Sequence, residues 1–98
     1  MATLQIRNTV HDFEQWKATF DRYDAFRAEH RVRSYRVLRD AGDQHRVEVA
    51  LDFDSAGDAA AFRKVLAEQV FSTPQSREIL VSHEEPTILE TVEHRTLD

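Results

Sequence analysis

The chain has 98 residues, no cysteine, 32% charged residues and a formal net charge of −5 at pH 7. A chain of this length forms one domain, residues 1–98, whose single core removes roughly 60 to 65% of the unfolded surface from water, so a second buried face requires a partner. Without cysteine, disulfides, thiolate nucleophiles and Cys-based zinc sites are excluded, and the acidic balance repels a phosphate backbone, so no nucleic-acid partner is expected.

The first residues carry no basic-then-apolar leader, and nowhere are there the roughly 18 consecutive apolar residues of a membrane span. The expected setting is cytoplasmic, with no membrane partner. Leu4, Ile6 and Val10 alternate with Gln5, Arg7 and Thr9, so Thr3 to Val10 is expected as a first strand with one apolar face, on which Asn8 also falls. Asp12 then offers an N-cap carboxylate, with Gln15 three residues on in a capping-box pattern.

From Asp12 to His30 the sequence predicts one amphipathic helix. Phe13, Trp16, Phe20, Tyr23 and Phe26 supply five of the nine aromatics (six Phe, two Tyr, one Trp). At ~100° per residue the first four fall in a roughly 80° sector, a stripe that packs a helix on a sheet, and Glu14, Lys17, Asp21, Arg22 and Arg27 are read as lying outside it. No Gly follows His30. Arg31 stands where a left-handed cap favours one, so this helix end is expected to be strained or closed differently.

Val32 to Arg39 and Arg46 to Phe53 flank the polar loop Asp40-Ala41-Gly42-Asp43-Gln44, which predicts an antiparallel hairpin. The second of these strands puts Val47, Val49, Leu51 and Phe53 on one face and Arg46, Glu48, Ala50 and Asp52 on the other. The first has apolar residues on both, Tyr35 and Val37 against Val32 and Leu38. Ser55 and Asp58 mark a second helix start, followed by Ala59, Phe62, Leu66 and Val70 at helical spacing. Thr73-Pro74 begins a short helix ending near Val81, and Thr87 to Arg95 reads as a last strand, with Ile88 and Val92 opposite Leu89.

The order βαββαβ, with right-handed crossovers, predicts an α+β ferredoxin-like fold: a four-stranded antiparallel sheet with two helices on one face. The other face, apolar in part, is expected to be covered by a second copy, making a homodimer.

The stretches Val10-His11-Asp12-Phe13-Glu14-Gln15-Trp16, Tyr35-Arg36-Val37-Leu38-Arg39, Leu51-Asp52-Phe53-Asp54-Ser55 and Ser76-Arg77-Glu78 carry a resemblance along nearly the whole chain. It resembles the dimeric α+β barrel superfamily, and within it the small proteins described as antibiotic biosynthesis monooxygenase-like or cyclase-like. The resemblance implies a homodimer with an interior for a small aromatic or polyketide-like ligand. The activities it brings are cofactor-independent monooxygenation and polyketide cyclisation, beside relatives with no known activity. Asn8 looks like the first-strand Asn of the monooxygenase and heme-degrading members. No Trp follows Trp16, and His45, His83 and His94 lie outside the main helices, so no cofactor is expected.

The candidate site residues are Glu48 with Arg36 as the polar centre, and Asn8 and His83 beside them. Alternation sends Glu48 and Asp52 away from the apolar row, and so, with Arg36, toward the space that the two sheets of a homodimer stacked face to face would enclose. Burial without a cation would make Glu48 a proton-transfer group, whereas pairing with Arg36 across the hairpin would make a structural tie. Trp16 and Tyr23 are read as core rather than ligand-stacking residues. The five histidines fall at no short ligand spacing, so no metal is expected. Arg27, Arg31, Arg33, Arg36 and Arg39 crowd thirteen positions and read as solvated charge, with an anion or carboxylate site on the sheet as the functional alternative. Two functions fit: an enzyme of the monooxygenase or cyclase kind, and a non-catalytic ligand-binding or accessory protein.

Overall fold

Period-two alternation in two segments builds the centre of the sheet. In the computed structural model, which describes residues 1–97, β1 (Ala2–Val10) pairs antiparallel with β3 (Asp43–Phe53), from Ala2 opposite Phe53 to Thr9 opposite Arg46. This register puts Leu4, Ile6 and Val10 on the same face as Val47, Val49, Leu51 and Phe53, and all seven are buried. β2 (Ser34–Asp40) pairs with the far edge of β3. The hairpin turns at Ala41-Gly42, where the Asp40 Oδ1 accepts from the Gly42 N–H at 2.7 Å.

The helices cover the apolar face. α1 (Phe13–Arg22) starts at Asp12, whose Oδ1 accepts from the Glu14 and Gln15 N–H groups at 2.9 and 3.4 Å. α3 (Ala56–Val65) starts at Ser55, whose hydroxyl accepts from Asp58 N–H at 3.1 Å. Phe53 and Phe62 meet with ring centroids 5.8 Å apart, joining β3 to α3 at the middle of the core. The fold is thus the expected ferredoxin-like one, with an antiparallel sheet and its helices on one side. No helix among the described residues is long and apolar enough to cross a membrane.

Four elements depart from expectation. The predicted single helix divides at Tyr23 (φ −94°, ψ 14°) into α1 and α2 (Asp24–Glu29). The Tyr23 N–H reaches back only three residues, to Phe20 O at 3.2 Å. The break divides the aromatic stripe: Trp16 stacks on Phe20 at 5.0 Å within α1, while Phe26 of α2 turns to Phe62 at 5.8 Å. α3 continues as a π-helical turn over Leu66–Val70, closed by Phe71 N–H donating to Leu66 O at 2.8 Å.

The short helix α4 (Pro74–Ile79) ends earlier than expected, and the chain passes directly into β4 (Leu80–His83). The last strand, β5 (Thr87–Glu90), is half the expected length. β4 and β5 share one edge of β1, opposite Asn8–Val10 and Ala2–Gln5 respectively, so the sheet has five strands rather than four.

The face away from the helices is more polar than expected. Tyr35 and Val37 lie on the helix side, and Val32 packs partly buried against the core, which leaves Leu38, Leu89 and Ala50 as the apolar residues among Thr3, Gln5, Arg7, Ser34, Arg36, Glu48 and Asp52. Asp52 ties three strands there, accepting from Thr3 Oγ1 at 2.7 Å and Ser34 Oγ at 3.1 Å. At its exit β3 is held by an exposed pair, and the hydrogen bond from Arg33 holds the Asp54 carboxyl below its ordinary value.

The C-terminus of α2 closes as a Schellman motif with arginine in the glycine position. Arg31 has φ 71°, its N–H donates to Ala28 O at 3.3 Å, and Val32 N–H donates to Arg27 O at 3.1 Å. A left-handed L-residue costs ~1 to 2 kcal/mol, and glycine returns part of that through its looser unfolded chain. The Arg31 ion pair to Asp58 at 3.3 Å is exposed on the arginine side and worth little. Arg31→Gly is therefore expected to raise the unfolding free energy by ~0.5 to 1 kcal/mol, read from the urea midpoint. Trp16, buried under α1, carries the opposite expectation. Trp16→Ala should lower stability by ~3 to 5 kcal/mol in the same measurement, the range for truncating a large buried aromatic.

Candidate functional site

Between the helical layer and the apolar face of the sheet lies a cavity of about 110 Å³. Its floor is Ile6, Asn8, Val49 and Leu51 of the central strands, and its walls include Trp16 and Phe20 of α1, Arg27 of α2 and Phe71 beyond the π-helical turn. The π turn and the short α4 form this end of the helical layer. Both elements contribute wall residues, Leu66 and Val70 from one and Ser76 and Ile79 from the other. π-turns recur at functional sites.

Most polar groups in the walls are committed to the backbone. Thr73 Oγ1 and Ser76 Oγ both donate to Val70 O, at 2.8 and 2.5 Å, and Thr19 Oγ1 donates to Gln15 O at 3.2 Å. Two buried atoms are not committed. Asn8 Oδ1 and Arg27 Nε have no hydrogen-bond partner. Such groups are rare in folded proteins because each forfeits a bond to water without replacement.

Asn8 is there because strict alternation gives it the face of Ile6 and Val10. It lies opposite Val47 on one side and His83 on the other, just before the irregularity in β1 between Thr9 and Val10. His83 is exposed, and its ring stacks on Phe71 with centroids 4.7 Å apart and 14° between planes. It reaches the cavity only through Phe71.

Arg27 is the one charged residue buried among the described residues. Its guanidinium lies over the Phe20 ring at 3.7 Å and 5.0 Å from the centre of Tyr35, and Nη2 donates to Phe20 O at 2.8 Å, the carbonyl where α1 breaks. The other arginines of the cluster are exposed. Arg31 and Arg33 pair with Asp58 and Asp54, and Arg39 lies 4.6 Å over the Phe13 ring.

The expected polar centre is not assembled. Glu48 Oε1 accepts from Arg7 Nε at 2.6 Å, with Gln5 Nε2 at 3.5 Å, and both partners come from β1. The register explains the change: Arg7 stands directly opposite Glu48, whereas Arg36 stands opposite Ala50 and only diagonal to it. Glu48 and Arg36 lie on the sheet face away from the helices, the face alternation predicts for them, and so outside the cavity within one chain, which of the four expected residues only Asn8 lines and His83 approaches. The expectation for Trp16 holds for burial, but Trp16 also forms cavity wall.

Arg27, expected outside the helical stripe, is buried on it. It follows Phe20 by seven residues, two helical turns, and so falls on the stripe's own face. The π turn and β4 left no comparable trace, since neither is marked by Gly or Pro. Among the described residues no three His, Asp or Glu side chains gather in a metal-binding group.

No protein-family model matches the chain, and no curated protein does. A crystal structure of a dimeric ferredoxin-like protein from an uncultured marine organism superposes on it with a TM-score of 0.67, covering 99% of this chain and 100% of that one, at 6% identity. The likeness, at that identity, is one of fold, and it agrees with the strand order and helix placement described above: this chain has the ferredoxin-like fold.

Proposed function

We propose that the protein binds a small aromatic molecule in the cavity between its helices and sheet. The observation that carries this is a cavity with aromatic walls lined also by Asn8 and Arg27, two side chains that each bury a polar atom, Oδ1 and Nε, without a protein partner. Apolar walls with a few convergent polar groups are the usual composition of a small-molecule site. A volume near 110 Å³ lies below the ~150 Å³ of an apolar cavity that accepts benzene, so a single ring is the upper size of occupant it suits.

Binding is favoured over catalysis by the wall chemistry. Proton transfer needs a group that titrates near neutrality, and no carboxylate or imidazole is among the described wall residues. The monooxygenase or cyclase reading rests on Asn8 within the cavity and His83 at Phe71, together with the resemblance of the first-strand Asn. A catalytic role for Glu48 and Arg36 would belong to the space between the two sheets of the homodimer proposed below.

Phenol tests the binding reading, because it is a single ring carrying one polar group to match a largely apolar wall that includes Asn8. It is expected to change the fluorescence of Trp16, the single tryptophan of the chain, with saturation in the millimolar range. Val70→Phe, which fills the wall, should abolish the change without loss of fold. An unchanged Trp16 signal in the wild type would refute the cavity as a binding site.

The assembly proposed is a homodimer through the outer sheet face. The neighbour of the same fold is described as dimeric, and Leu38 and Leu89, 41% and 46% exposed, are apolar residues on that face. Sedimentation velocity at micromolar concentration is expected to give a dimer, which Leu38→Glu converts to a monomer that still binds phenol, since the cavity lies within one chain. A wild-type monomer at that concentration would contradict the assembly and leave the cavity reading intact.

A further inference from the structure

We propose that Arg27 is the anion-recognising residue of the cavity, so that its ligand class is an aromatic carboxylate rather than a neutral ring. The inference rests on the cavity reading above and extends it to the charge of the ligand. Its basis is an incomplete balance around a buried cation. The Arg27 side chain is 7% exposed, and its nearest carboxylate, Asp24 Oδ1, is 3.7 Å from Nη2 on a side chain that is 72% exposed. A pair of that length with one partner in water compensates little of the charge.

The remaining contacts satisfy the guanidinium in part. Phe20 and Tyr35 present ring faces to its cation, and Phe20 O takes one N–H. Nε–H is left without an acceptor. A carboxylate in the cavity would supply the missing negative charge to the side chain best matched to carboxylate geometry, and it would reach Nε–H, which is fully buried in this structure, by a small shift of the Arg27 side chain. The selection follows from the walls themselves, because Arg27 is the only charged residue among the described ones lining the cavity. Nothing there repels an anion, and one group attracts it.

A structural duty for Arg27, holding Phe20 O across the α1–α2 break, predicts a different outcome. It would make the residue matter for stability and leave ligand charge irrelevant. Benzoate and benzamide separate the two, being nearly equal in shape and differing in charge.

The experiment is a pair of titrations of the wild-type protein followed by Trp16 fluorescence, with the Arg27 Nε–H resonance followed by NMR. Benzoate should bind roughly tenfold or more tightly than benzamide, the factor supplied by a charge-assisted hydrogen bond. The Arg27 Nε–H signal should move with benzoate and stay in place with benzamide. In Arg27→Met, benzoate affinity should fall to the level of benzamide, so that the ratio between the two ligands disappears.

If phenol binds and benzoate is no tighter than benzamide, Arg27 is structural and this inference is overturned while the cavity reading stands. If neither phenol nor benzoate perturbs Trp16, the cavity reading fails and takes this one with it. Should Arg27→Met not fold, the wild-type affinity ratio and the Nε–H signal decide alone. A tight benzoate complex that leaves Nε–H unmoved would also overturn the assignment.

Discussion

Everything in this fold depends on one register, that of β1 against β3. Eight consecutive residue pairs, from Ala2 with Phe53 to Thr9 with Arg46, place both strands' apolar rows on the same side. A slip of one residue would reverse every side chain of one strand and separate the rows. The helices have no other apolar surface of comparable extent to cover, so α1 and α3 settle on that face. The cavity is what remains between them where the π turn and α4 replace a regular helix.

The same register sorts polar chemistry onto two sides of the sheet. On the outer side, Arg7–Glu48 and the hydroxyl bonds of Asp52 are satisfied among themselves, as expected of groups whose task is to join strands. On the inner side, Asn8 and Arg27 are left incompletely satisfied among apolar walls. A buried polar group without its partner opposes folding, so such groups are expected where something other than stability selects them. That contrast moves the functional reading from the outer face, where the carboxylates are, to the inner cavity.

Much of the fold was legible in the sequence because its signals are local. The alternation of Val47 to Phe53 and the capping residues Asp12, Ser55 and Thr73 each act within a few residues of themselves, and each is found in its expected role. The break at Tyr23 was not legible, since neither Gly nor Pro marks it and its cause is tertiary: the two halves of the stripe pack on different partners. β4 is only four residues long and pairs at a β1 edge that composition does not announce.

For the site, alternation gave the face of Glu48 but not its partner. That Arg7 rather than Arg36 stands opposite it is a property of strand order and register together, which lie beyond any one strand's pattern. Arg27 was legible in principle. Its seven-residue spacing from Phe20 puts it on the apolar stripe, and a charged residue there is the kind of local inconsistency that marks a site.

The account's central claim is that ligands enter the inner cavity and not the outer face of the sheet. Backbone amide shifts recorded by NMR during a phenol titration test it most directly, because both faces are read in one experiment. The account predicts shifts concentrated at Asn8, Leu66, Val70 and Phe71, with Arg7, Arg36 and Glu48 unmoved. Shifts confined to Arg7, Arg36, Glu48 and Asp52 would contradict it and return the site to the outer face.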